Sequence, residues 1–196
     1  MSSQSDTRGR LIRVASALFR QRGYDGVGLT EILEASKAPK GSFYYHFPGG
    51  KEELGEAAIR YAGAEVAKLI EGSSAAAKSF ADGPRIFAKA LADGFEQSGF
   101  REGCPITSIA LATVPKIGAH ASAVQEVFDL WRDGILGHAR RFDVALAETD
   151  ADRLLLLVEG AWIMARVRQS KQPLLESVEV WLLSLAPAPN RDRNPA

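Results

Sequence analysis

An all-α protein of about nine helices follows from three features of the 196-residue sequence. Apolar residues recur at helical spacing along most of it. Pro48, Pro115 and Pro173 fall between the periodic stretches, and Gly23 stands at the end of the first. No stretch alternates apolar and polar residues with period two for long enough to make a sheet. A three-helix unit of helix-turn-helix plan is expected over 1–50 and a helical body over 51–186. A disordered tail is expected over 187–196, which is rich in Pro, Asn and Arg.

The first helix is expected over about 6–23. Leu11, Val14, Ala15, Leu18 and Phe19 stand at i, i+3, i+4, i+7 and i+8, one face of a helix, and Gly23 sits where a C-terminal glycine belongs. A short second helix, 29–36, turns Ile32 and Leu33 inward. The stretch from Lys37 to Lys40 breaks it, because Pro39 disfavours helix at the residue before it. Proline is welcome in the first turn of the third helix, 40–47, which Pro48, Gly49 and Gly50 end. The fourth helix runs from 51 to about 70, with Leu54, Ala58, Tyr61, Ala62, Val66 and Leu69 as its stripe, and a loop is expected over 72–83. Further helices are expected over 84–98, 105–114, 119–142, 149–169 and 174–185, with Pro115 and Pro173 at boundaries.

Composition excludes several classes. Hydrophobic residues make up 46% and charged residues 24%, which is globular rather than disordered. The longest apolar runs, 154–158 and 161–165, fall far short of the roughly 20 residues of a membrane span. The first ten residues hold no apolar signal segment, so a cytoplasmic protein is expected. Cys104 is the single cysteine, which forbids an intrachain disulfide and any multi-cysteine metal site. A thiol before Pro105 at a helix start could have its pKa lowered; a buried structural thiol is the other reading. His120 and His138, on one helix, would stand about 27 Å apart and could not share a metal. No phosphate loop or nucleophile–base motif is present, so no catalytic residues, metal or cofactor are expected.

Charge is balanced overall, 24 basic against 24 acidic residues, but not along the chain. Residues 1–51 hold eight basic and four acidic side chains, leaving the body at −4. A basic end on an acidic body suits a polyanion, although such segments are often only solvated surface. The third helix adds chemistry. Phe43 and Phe47, four apart, would anchor it, leaving Lys40, Ser42, Tyr44, Tyr45 and His46 at least partly outward. Gly41 would let a backbone approach closely. Two outward tyrosines can bond phosphates or pack on sugars and thymine methyls, as a recognition helix in a DNA major groove would. The competing reading packs one of them on the first helix.

Residues 29–35, then Pro39 to Phe47, then Lys51, Glu52, Glu53 and Leu54 resemble the N-terminal domain of TetR-type transcriptional regulators. Ala15, Leu18, Phe19, Arg22, Gly23 and Tyr24 match the same pattern. Pro39-Lys40-Gly41-Ser42, Phe47-Pro48-Gly49-Gly50-Lys51 and Gly103-Cys104-Pro105-Ile106 look like its LmrA/YxaF branch. Three positions depart from the pattern: Gly28 replaces a capping Thr or Ser, Lys37 replaces a turn Gly, and Pro39 stands where Ser or Thr often begins the helix. The resemblance implies that Thr30, Lys40, Tyr45 and Lys51 hold phosphates, that Gly41, Ser42 and Tyr44 lie nearest the base edges, and that His46 contacts the backbone or caps the helix. It also implies a repressor, a homodimer on double-stranded operator DNA, and a small-molecule effector.

In the body, the helix over 149–169 is apolar nearly all round and must be covered on nearly all sides. The last helix has apolar residues beyond one stripe, which suggests a partner; a monomer with a generous core is the alternative. By resemblance these two helices form the dimer seam, with Leu155, Trp162, Val178, Trp181, Leu182 and Leu185. Phe80, Phe87, Phe95 and Phe100 could line a pocket or simply fill a bundle, and the resemblance favours a pocket. Its expected lining is Phe87, Leu91, Phe95, Ile109, Phe128, Trp131 and Trp162, which suits an apolar, aromatic effector. Two other functions fit the same residues: a helical enzyme or carrier that does not bind DNA, and a DNA-binding protein without an effector.

Overall fold

The computed structural model describes residues 4–185. The tail expected to be disordered, 187–196, lies outside the described residues. Among the described residues are nine α-helices and no strand. They are α1 (Gln4–Arg22), α2 (Leu29–Ser36), α3 (Lys40–His46), α4 (Gly50–Ala76), α5 (Asp82–Gln97), α6 (Thr107–Thr113), α7 (Gly118–Arg141), α8 (Glu148–Arg168) and α9 (Gln172–Ser184).

One expectation needs correction. The fourth helix continues to Ala76, so the first part of the loop expected at its end, 72–76, is helical. Ala75 and Ala76 are strong helix formers, and α7 holds the last turn. His138 Nδ1 meets Ser74 Oγ at 2.9 Å, and the Arg141 guanidinium bonds the Ser74 carbonyl. The chain then turns into α5, where the Asp82 carboxylate accepts the N–H groups of Lys78 (3.1 Å) and Ser79 (2.9 Å).

Helix α4 is the axis of the body and packs most extensively on α7. A Cβ on Gly55 would stand 2.7 Å from His120 Cε1, and one on Gly63 2.4 Å from Val127 Cγ2. Further along, Gly134 faces Ile70 and His138 bonds Ser74. These pairings advance in the same direction, so α4 and α7 run parallel. The glycines let the two helices approach, and Trp131 Nε1 closes the contact on the Gly63 carbonyl at 2.9 Å. Helix α9 packs on α5 and α8, and α1 lies against α2, α3, α4 and α6. The buried side chains form one continuous cluster from Leu11 to Trp181.

Candidate nucleic-acid interface

Helices α1 to α3 form a small unit whose outer helix is α3. Arg10 Nε donates to the Ser36 carbonyl at 2.7 Å and ties α1 to the end of α2. Lys37, at φ 51 and ψ 37, ends α2 in the left-handed conformation that glycine adopts without steric cost. The Ala38 N–H reaches back to the Leu33 carbonyl at 3.0 Å, and Pro39 then caps α3 in an extended conformation. Gly28 caps α2 with no side-chain hydrogen bond.

Phe43 and Phe47 are fully buried, their ring centres 5.7 Å apart, and they fix the inner face of α3. The outer face holds Lys40 and Gly41, both exposed, and Ser42, half-buried. Tyr44 is 45% exposed and Tyr45 77% exposed. Tyr44 lies edge-on to Phe43 rather than in the core, and His46 is half-buried beside Tyr45. A Cβ on Gly41 would meet nothing within 4 Å, so the fold itself does not require a glycine there. Thr30 is exposed in the first turn of α2.

Lys51 is placed differently from the other expected phosphate ligands. Its ammonium donates to the Tyr24 carbonyl at 2.7 Å and sits 4.0 Å from the centre of the Tyr24 ring. Partial burial pulls its pKa down, opposed by the nearby Asp25 carboxylate. Tyr24 is itself buried, and desolvation, with the charges of Glu52 and Asp25, pushes its hydroxyl up to about 12.

In the body, the expected seam needs correction. Val178 and Trp181 are fully buried inside their own subunit, and Trp162 keeps only 6% of its surface. Trp181 Nε1 is bonded to the Asp150 carbonyl and Trp162 Nε1 to the Glu102 carbonyl. Val178 and Trp181 therefore have no surface to present to a second copy, and Trp162 reaches the surface only at the rim of a groove. Leu155, Leu182 and Leu185 are half-buried. On these two helices the exposed apolar side chains are others: Leu156, Ile163, Met164 and Val167 on α8, with Val180 and Leu183 on α9. A helix apolar nearly all round has no broad polar face to show which side turns inward, so the sequence could not choose between these sets.

The expected ligand lining does not converge on one cavity. Phe87 borders a cavity of about 30 Å³ between α4, α5, α7 and α8, room for about one water. Leu91 and Trp162 instead border an open groove of about 480 Å³ with Ala17 of α1, Val66 and Leu69 of α4, and Gly94 of α5. Arg13, Arg20, Glu65 and Glu102 lie around it. Phe95 packs between Phe100 and Trp162, Phe128 packs edge-on to Trp131, and Ile109 is buried in the core.

The segment between α5 and α6 joins α1 to α8. Gly99 and Phe100 turn the chain with φ of 64 and 60. Arg20 of α1 donates to the Gly103 carbonyl at 3.2 Å and pairs with Glu102 at 3.3 Å, while Trp162 of α8 bonds the Glu102 carbonyl at 3.1 Å. Cys104, in the same segment, is buried. Desolvation, reinforced by the neighbouring Glu159, pushes its thiol pKa well up, opposite to the lowered value that a helix start would give. Among the described residues no group of three His, Cys, Asp or Glu side chains could hold a metal ion, and no helix is long and apolar enough to cross a membrane.

Comparison with known proteins matches residues 11–58 to the family of bacterial regulatory proteins of tetR type. Residues 81–179 match the C-terminal domain of LmrA/YxaF-like transcriptional regulators. The chain is 31% identical over 179 residues to the HTH-type transcriptional regulator YxaF of Bacillus subtilis, covering 89% of this chain and 93% of that one. It is 30% identical over 175 residues to LmrA of the same organism, covering 88% and 93%. Among solved structures, reduced NemR of Escherichia coli superposes with a TM-score of 0.76 at 25% identity, covering 90% of this chain and 95% of that one.

Proposed function

The chain belongs to the TetR family of helix-turn-helix transcriptional regulators, in its LmrA/YxaF-like branch, and on that premise we propose that it is a cytoplasmic repressor, a homodimer on a pseudo-palindromic operator, released by a small apolar effector. The observation that carries this reading is the outer face of α3. Lys40, Gly41, Tyr44 and Tyr45 stand exposed on a helix that Phe43 and Phe47 anchor from behind. Lys40, Tyr45, Thr30 and Lys51 hold phosphates, Gly41, Ser42 and Tyr44 approach the base edges, and His46 closes the end of the contact.

Dimerisation is supported by the exposed stripe on α8 and α9. Leu156, Gly160, Ile163 and Val167 follow 4-3-4 spacing along one line of α8, and Gly160 leaves room for a second helix to approach closely. An isologous contact there also covers Val180 and Leu183, and half-buried Leu155, Leu182 and Leu185 border it. The effector sits in the groove bordered by Leu91 and Trp162, because the cavity beside Phe87 holds little more than a water. A ligand there touches α1, α4 and the Glu102 strap together, so it acts on the spacing of the two recognition helices. Electrophoretic mobility shift with the duplex flanking its own gene tests the reading. A shifted band that candidate aromatic ligands abolish supports it, and no shift at low salt refutes it.

A further inference from the structure

We propose that His120, on α7 of the body, is a positioning residue for DNA binding, because it steadies Tyr24 and through it the Lys51 ammonium. This rests on the reading of Lys51 as a phosphate ligand. The imidazole is fully buried where the body meets the α1–α3 unit. Its Nε2 lies 2.8 Å from the Glu52 carbonyl, and only a protonated nitrogen can face a carbonyl, so Nε2 carries the proton and donates. The ring meets the Tyr24 ring edge-on, with centres 5.4 Å apart and an angle of 81°. Lys51 Nζ sits 4.0 Å from the centre of the Tyr24 ring and donates to the Tyr24 carbonyl at 2.7 Å.

The slot is built for this ring. A Cβ on Gly55 would stand 2.7 Å from His120 Cε1 and 2.9 Å from Tyr24 Cε2, so a glycine is kept in the interior of α4 despite its helix penalty. His120 Nδ1 is buried without a hydrogen-bond partner, so the side chain is held by the Nε2 bond and by ring packing. A lysine ordinarily loses much rotamer freedom on gripping a phosphate. Here one of its three N–H groups is already committed, and the remaining two are held at a fixed place for the DNA. A movement of α7 is thereby felt at the phosphate contact.

Salt-dependent binding to the duplex flanking the gene tests this, using His120→Gln, which keeps a donor for the Glu52 carbonyl but removes the ring. Loss of one phosphate contact per half-site lowers the slope of log affinity against log salt by about two for the dimer, and weakens binding on the order of tenfold to a hundredfold near 0.1 M salt. Lys51→Ala has the same effect, and the double variant is no weaker than Lys51→Ala alone. The proposal is overturned if His120→Gln leaves the wild-type slope unchanged, or if it weakens the Lys51→Ala protein as much as the wild type. Failure of the wild type to bind any duplex overturns the functional reading as well, which separates the two.

Discussion

At the scale of single residues, the left-handed turn at Lys37 has a measurable consequence. A side chain at φ 51 costs roughly 1 kcal/mol that glycine avoids. Lys37→Gly should stabilise the protein by about 1 kcal/mol in urea unfolding, less the extra entropy that glycine gives the unfolded chain. A midpoint lowered by the full entropy cost of the added glycine would contradict the assigned strain. Cys104 gives a second prediction. Its thiol is held neutral by burial, so it should react with iodoacetamide in the folded protein far more slowly than in urea. The sign for stability follows. The unfolded chain gives up the thiol proton at a lower pH than the folded one, so this group's contribution is intact below the ordinary thiol value and is lost as pH rises above it. Cys104→Ala should lose that alkaline decline, which pH-dependent urea unfolding measures. The sequence left both readings of Cys104 open, because proximity to a helix start is visible in it and the Glu159 carboxyl, 55 positions away, is not.

At the scale of helices, the close contact of α4 and α7 sets helix propensity against packing. Gly63→Ala gains about 1 kcal/mol of propensity, but its Cβ would press on Val127 Cγ1, Cγ2 and Cβ together, at 2.7, 2.4 and 3.1 Å. With Val127 Cβ itself so close, rotamer change alone cannot relieve the crowding, and overpacking costs about 1–3 kcal/mol. The account predicts a net loss of about 1 kcal/mol in thermal unfolding, whereas a gain would mean the helices can separate freely. The opposite case is Gly94, where a Cβ meets nothing within 4 Å. Gly94→Phe should fold normally and fill the groove beside Leu91 and Trp162, leaving DNA binding intact and abolishing release by an effector. If release survives, the effector sits elsewhere. The periodicity of α1, α2, α3 and α7 was legible to within a residue or two, because each shows one apolar stripe and a clear stop. The end of α4 was not, since Ser73, Ser74 and the alanines after them carry no stripe and their helix depends on His138 and Arg141 of α7.

At the scale of the whole molecule, the proposed function has binding depend on two copies that hold their α3 helices one helical turn of DNA apart. Ile163→Asp or Val167→Asp should give folded monomers by sedimentation, because both side chains are exposed in the single subunit, at 65% and 78%. Trp181→Ala should instead unfold the subunit, since burying an indole and then deleting it costs roughly 3–5 kcal/mol. Folded dimers from the aspartate variants would place the seam on another face. The sequence showed that α8 is apolar nearly all round, and so that something must cover it, but not which side the rest of the subunit already covers. The same limit applied to the aromatic residues of the body, whose spacing shows burial without telling a filled core from a lined pocket. The outer face of α3 was more legible, because Phe43 and Phe47, four apart, mark its inner side and leave Tyr44 and Tyr45 outward.

The central claim is that α3 presents a DNA-binding face that works in pairs. Fluorescence anisotropy of the duplex flanking the gene, titrated across salt with wild type, Tyr44→Ala and Ile163→Asp, tests it most directly. The account predicts steeply salt-dependent binding by the wild type and a loss on the order of 1–3 kcal/mol for Tyr44→Ala at unchanged fold. It also predicts that Ile163→Asp loses specific binding although its recognition helix is untouched. Salt-independent binding by the wild type, or full affinity in both variants, would contradict it.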